Sequence, residues 1–122
     1  MSCLPESIRK PETFKKVYSR GRYAADGVFV VYALANDLGT NRLGITVSKK
    51  VGNAVRRNLL RRLVKEMLRA KGGIRPFGYD VVVLARPPAG LLERSAAFAA
   101  VDKSLSVLFK RLGLSFGGSP VQ

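Results

Sequence analysis

The sequence predicts an α+β sandwich, with helices packed on a mostly antiparallel, four-stranded sheet in the order α-β-β-β-α-β-α. Two observations fix the class. Strand-forming stretches cluster early, at 22–25, 28–35 and 42–48, with one more at 79–85. Between and after them, residues 53–70 and 93–112 repeat apolar side chains at helical spacing. At 122 residues the chain is one ordinary domain, spanning 1–122, with an ordered core expected at about 8–113 and flexible ends at 1–7 and 114–122.

Each element has a local reason. The lead-in up to Lys10 is irregular. Pro11 can open a helix, because its missing N–H is no loss in the first turn. Glu12 suits the positive end of the helix dipole. Phe14, Val17 and Tyr18 then share one stripe over residues 11–19, and Gly21 is placed to end the helix at its C′ position. Residues 22–25 form a short strand, and Asp26-Gly27 is a hairpin signal. Residues 28–35 are nearly continuous in apolar character and read as a central strand covered on most of both faces. After the polar loop 36–41, residues 42–48 alternate, with Leu43, Ile45 and Val47 on one side. They are expected to return antiparallel to the strand before. Asn53 is a good N-cap for the helix over 53–70, and Lys71-Gly72-Gly73 ends it. Residues 79–85 are the last strand, and Arg86-Pro87-Pro88-Ala89-Gly90 is a rigid turn. The helix over 93–112 carries the stripe Phe98, Val101, Leu105, Leu108, Phe109 and Leu112, and Gly113 stops it. The tail from Ser115 is expected to fray.

Charge narrows the partner. Against 22 Lys and Arg stand 8 acids, a net +14. Such an excess opposes compaction and calls for a polyanion, with nucleic acid ahead of an anionic membrane surface. There is no histidine, which excludes histidine acid–base chemistry, catalytic triads and histidine-ligated zinc. The single cysteine, Cys3, leaves no internal disulfide and fits a reducing, cytoplasmic setting. Neither a membrane span nor a secretory signal is expected. The acids are scattered singly, without a pair suited to a two-metal site, so a self-sufficient enzyme is not indicated.

The basic residues concentrate on one helix. With Arg57 at zero on a wheel of 100° per residue, Leu59, Leu60, Leu63, Val64 and Met67 fall between about 200° and 340°. Arg57, Asn58, Arg61, Arg62, Lys65 and Arg69 fall between about 0° and 140°, and Leu68 sits near the boundary. Glu66 is the only acid between Ser48 and Arg69, so ordinary i,i+4 pairing is largely missing. A guanidinium row of this kind suits phosphates. A second group is aromatic: Phe14 and Tyr18 on the first helix, and Phe29 and Tyr32 on a strand. Three residues apart on a strand, Phe29 and Tyr32 face opposite sides of the sheet. Core packing is the first reading of these aromatics, and a base-stacking surface is the second.

The run Lys49-Lys50-Val51-Gly52-Asn53-Ala54-Val55-Arg56-Arg57-Asn58, followed by Arg61-Arg62, resembles the signature of the bacterial ribonuclease P protein component. Phe14-Lys15-Lys16-Val17-Tyr18 with Gly21, Phe29-Val30-Val31-Tyr32, and Leu84-Ala85-Arg86-Pro87 resemble further parts of that family, so the likeness covers roughly residues 8–112. The resemblance implies a fold like the second domain of ribosomal protein S5, with a left-handed β-α-β crossover where general physics favours the right-handed one. It implies a subunit of an endoribonuclease that removes the 5′ leader of precursor tRNA, with catalysis and magnesium ions belonging to the RNA of the holoenzyme and not to this chain. It places the catalytic RNA on Arg57, Asn58, Arg61 and Arg62, and the rest of the cationic face and its entry add Lys49, Lys50, Asn53, Arg56, Lys65 and Arg69 as candidates for the same contact. It places the precursor leader on Phe14, Tyr18 and Tyr32 with Lys15 nearby, and Arg86 is a further candidate for that contact. Leu59 stands where the family pattern has a base. The alternatives are a general RNA-binding or ribosomal-type protein without a role in cleavage, and a DNA-binding regulator, which the strands flanking the basic helix disfavour.

Overall fold

The computed structural model describes residues 4–117. Cys3 and the outermost parts of the expected flexible ends lie outside the described residues. The elements are β1 (Glu6–Ser7), α1 (Pro11–Arg20), β2 (Arg22–Ala25), β3 (Phe29–Ala35), β4 (Arg42–Val47), α2 (Ala54–Ala70), β5 (Ile74–Arg75), β6 (Tyr79–Ala85), α3 (Ala97–Arg111) and β7 (Ser115–Phe116). Two 3-10 turns, Pro87–Leu91 and Arg94–Ala96, join β6 to α3.

The α+β class holds, and the expected sheet is corrected in three ways. It has five strands in the order β1-β4-β6-β3-β2, with a separate β5–β7 pair. It is mixed: β1 and β6 flank β4 in parallel, while β6, β3 and β2 pair antiparallel. And β4 does not pair with β3, although it runs in the opposite direction; β6 lies between them. The physical reason is burial. Val81, Val82 and Val83 are fully buried on both faces of β6, whereas β3 buries only alternate residues. The strand covered on both sides takes the centre. The loop before β4 reinforces this choice. Asn36 Nδ2 donates to Asp80 Oδ1 at 2.8 Å, and Asn41 Oδ1 accepts from Tyr79 N at 2.9 Å. The loop thus bonds the start of β6 instead of closing a hairpin.

The ordered part also passes the expected limits. Glu6 and Ser7 pair with Arg42 and Leu43, and Ser115 and Phe116 pair with Arg75 and Ile74. The last helix begins at Ala97 and not at 93, because a 3-10 turn precedes it. Ala97 takes the inside place at that end, so Phe98, expected on the buried stripe, is left exposed. Gly21 ends α1 as expected, its N–H reaching Val17 O at 2.8 Å, but in extended rather than left-handed backbone.

The two faces of the sheet have different covers. Phe29, Val31, Ala33, Leu43, Val47, Val81, Val83 and Ala85 pack with α2 and α3 in the main core. The other face carries a small cluster of Ile8, Val17 and Val82, with Phe14, Tyr18, Tyr32 and Leu34 half-buried against it. Phe14 reaches the sheet because β4 has glycine there: a Cβ on Gly44 would stand 2.5 Å from the Phe14 ring. Gly90 similarly lets the 3-10 turn press on the turn before α2, where a Cβ would collide with the Val51 carbonyl.

Candidate nucleic-acid interface

The first surface is the outer face of α2. Asn53 caps the helix, its Oδ1 accepting from Arg56 N at 2.9 Å. Its side chain therefore has a structural task before any ligand arrives. No acid occupies the first turn. Leu59, Leu60, Leu63, Val64, Met67 and Leu68 are all buried, so the boundary residue Leu68 joins the core. Leu59 points inward as well, so no cation is presented from that position.

Several of the basic side chains are held by the fold, and others are exposed. Arg61 is held twice, Nη1 donating to Asn58 Oδ1 at 3.1 Å and Nη2 to Val47 O at 3.4 Å. Arg56 Nη1 donates to Leu92 O at 3.0 Å and ties α2 to the segment before α3. Arg57 Nε is buried without a hydrogen-bond partner among the described residues. Arg62 and Glu66 stand 3.6 Å apart on the exposed surface, a weak pair. Lys49, Lys50, Asn58, Lys65 and Arg69 are exposed.

The second surface lies across the sheet. α1 is only ten residues long and covers part of its face. Tyr18 and Tyr32 meet edge to face at 4.9 Å, and Phe14 and Tyr18 lie 6.4 Å apart. Tyr18 Oη is fixed by Thr46 Oγ1 at 2.9 Å. Beyond the tyrosines, Val30 and Leu84 form a half-buried apolar floor, paired in register across β3 and β6. Arg86 stands exposed at the end of β6, its Nη1 donating to Asp26 O at 2.7 Å. Lys15 is exposed on α1. Burial, then the phenols of Tyr18 and Tyr23, pushes the Tyr32 hydroxyl above its ordinary value of 10.0, so it is a neutral hydrogen-bonding group at neutral pH. The sheet thus separates the predicted residues into two sets. Phe29 goes to the main core, while Phe14, Tyr18 and Tyr32 gather on the opposite face, as the spacing requires.

The family model for ribonuclease P matches residues 5–113. The chain belongs to the ribonuclease P protein family. The ribonuclease P protein component of Clostridioides difficile (strain 630) is 41% identical over 112 residues, 90% of this chain and 94% of that one. Among solved structures, a Staphylococcus aureus RNase P protein mutant with defective mRNA degradation activity has a TM-score of 0.78 at 33% identity, covering 88% of each chain. The RNase P protein from Thermotoga maritima has a TM-score of 0.74 at 34% identity, covering 87% of this chain and 96% of that one. This RNase P family member is thus a protein component of a ribonuclease.

Sequence reasoning missed two residues of the second surface: Thr46, which anchors Tyr18, and Tyr23 on β2, which is 67% exposed with its ring 5.9 Å from that of Tyr32. Of the singly scattered acids, Asp80 is 4% exposed and bound by Arg42 at 2.7 Å. Among the described residues no group of three or more acidic or cysteine side chains is placed to hold a metal ion. Nor, among them, is any helix long and apolar enough to cross a membrane.

Proposed function

We propose that this chain partners the catalytic RNA of ribonuclease P in the cytoplasm and helps remove the 5′ leader from precursor tRNA. The outer face of α2 holds the catalytic RNA, through Arg57, Asn58, Arg61, Arg62, Lys65 and Arg69, with Lys49, Lys50, Asn53 and Arg56 at its entry. The aromatic groove holds the single-stranded leader, through Phe14, Tyr18 and Tyr32 with Lys15 and Arg86 beside them. Bond cleavage and its magnesium ions belong to the RNA.

One observation carries the reading: a cationic helix and an aromatic groove occupy opposite faces of one sheet. The first suits the phosphates of a folded RNA, and the second suits unpaired bases. A protein that bound only one folded RNA would need only the first. The test is reconstitution with a cognate catalytic RNA. The chain alone should cleave nothing, and adding it should lower the magnesium concentration at which the RNA cleaves precursor tRNA. No effect of protein at low magnesium would sink the proposal. Equal affinity for mature and leader-bearing tRNA in the assembled complex would favour a general RNA-binding role instead.

A further inference from the structure

The groove does not end where α1 and β3 meet. β2 is the edge strand of the sheet, and its Tyr23 pairs in register with Tyr32. Side chains of directly paired residues share a face, so Tyr23 stands on the groove side. The rings form a row, Tyr18 to Tyr32 at 4.9 Å and Tyr32 to Tyr23 at 5.9 Å, with the last two inclined by 38°. Exposure rises along it, from two half-buried rings to one that is 67% exposed. Among the described residues no group hydrogen-bonds the Tyr23 or Tyr32 hydroxyl, whereas Tyr18 is bonded to Thr46.

From this geometry we propose that Tyr23 is a further stacking position for single-stranded RNA, which leaves the groove over the β2 edge of the sheet. The inference rests on the groove being the leader site. An aromatic face exposed beside an aromatic row can stack any base, because every base has a π-face. The edge position supplies direction. On the other side of the row, Tyr18 belongs to α1, which closes the groove, while past Tyr23 no further strand follows among the described residues. A chain laid on Tyr18 and Tyr32 therefore meets Tyr23 on its way out. Arg20, at the end of α1 and three residues before Tyr23, is exposed and can meet a phosphate. The competing account is an edge-strand tyrosine that merely shields Tyr32, which strand preference alone would supply.

The two accounts part on leader length. The assay uses the reconstituted holoenzyme and precursor tRNAs carrying leaders of about two and about ten nucleotides, compared by dissociation constant. Tyr23→Ala should weaken binding of the long-leader substrate by about five- to tenfold and leave the short-leader substrate unchanged. Tyr23→Phe should restore the long-leader affinity, since the ring and not the hydroxyl does the stacking. An equal loss for both leaders, or no loss for the long one, overturns the assignment. Circular dichroism of each variant guards against a folding defect, and a Tyr23→Leu variant, which still shields Tyr32 but cannot stack, should behave like Tyr23→Ala. If the unaltered protein shows no preference for long over short leaders, the groove reading itself fails and takes this one with it. If the preference is present and Tyr23→Ala keeps it, only Tyr23 is wrongly assigned.

Discussion

Replacing Gly44 with alanine tests whether the groove is built by one glycine. The backbone there is ordinary strand, so alanine meets no conformational penalty. The obstacle is steric. The added Cβ would lie 2.5 Å from Phe14 Cε1 and 2.8 Å from Cζ, with Ile8 Cδ1 at 3.5 Å behind. A phenylalanine ring cannot bend aside as a long flexible chain can, so Phe14 must turn out or α1 must lift. Overpacking of this kind costs about 1–3 kcal/mol, against which alanine recovers about 0.4–1 kcal/mol through the unfolded chain. The net is a loss of about 1–2 kcal/mol, or about 4–8 °C in midpoint for a domain of this size. Thermal and urea unfolding measure it. The decisive control is the Phe14→Ala background, where Gly44→Ala should be neutral or slightly stabilising. A loss of the same size in both backgrounds would refute the contact as its cause. Because α1 and α2 lie on opposite faces, the same variant should lose leader-dependent affinity while retaining most of its affinity for the catalytic RNA.

The remaining outcomes concern the helix cap, the cationic face and two carboxylates. Asn53→Ala should lower stability by about 1 kcal/mol through loss of the cap, measured by urea unfolding. Asn53→Asp keeps a cap and suits the helix dipole, so it should stay folded yet bind RNA more weakly. Replacing Arg57, Arg61 and Arg62 together with alanine should flatten the salt dependence of RNA affinity by roughly 2–3 in the log–log slope, read from a titration across salt concentrations. For pH, burial pushes the Asp80 carboxyl up, but hydrogen bonds from Arg42 and Asn36 and the charges of Arg42 and Lys16 outweigh it, leaving it below the ordinary value of 3.8. Burial of Asp26 is likewise outweighed, by the Ser104 hydroxyl, the Phe29 and Val28 N–H groups and the Arg111 charge. The unfolded chain then takes up these protons first, so their stabilisation is complete above the unfolded value, about 3.9, and is lost as pH falls below it. Urea midpoints should drop between about pH 5 and pH 3, and Asp80→Asn should flatten that drop.

What could be read from the sequence was local, and what could not was pairing. The cap at Asn53, the two helical stripes (Phe98 apart) and the strand at 79–85 each follow from residues close in the chain, and each was found. The placement of β6 between β3 and β4 depends on which strand can be buried on both faces once three helices are docked, which no single stretch records. The two-residue strands β1 and β7 were missed because their order comes from a neighbour's edge rather than from their own composition. Tyr23 is a different kind of miss. The Asp26-Gly27 turn was recognised, and its register places Ala25 opposite Val30, and hence Tyr23 opposite Tyr32. Following that hairpin two pairs inward would have added Tyr23 to the aromatic set.

The two proposed RNA surfaces are joined through β4. Successive residues of a strand face opposite sides of its sheet. At the end of β4, the Thr46 hydroxyl holds Tyr18 in the groove, and the Val47 carbonyl one residue later accepts from Arg61 of α2. Two neighbouring residues thus touch the proposed leader groove and the cationic helix. They are anchored on their inner side by β6, where Thr46 pairs with Leu84 and Val47 with Ala85. The proposed function, holding a leader at a fixed distance from a catalytic RNA, calls for such a joint to be stiff. Burial on both faces fits β6 for that support, and it is the same strand whose place could not be read from its neighbours in the chain.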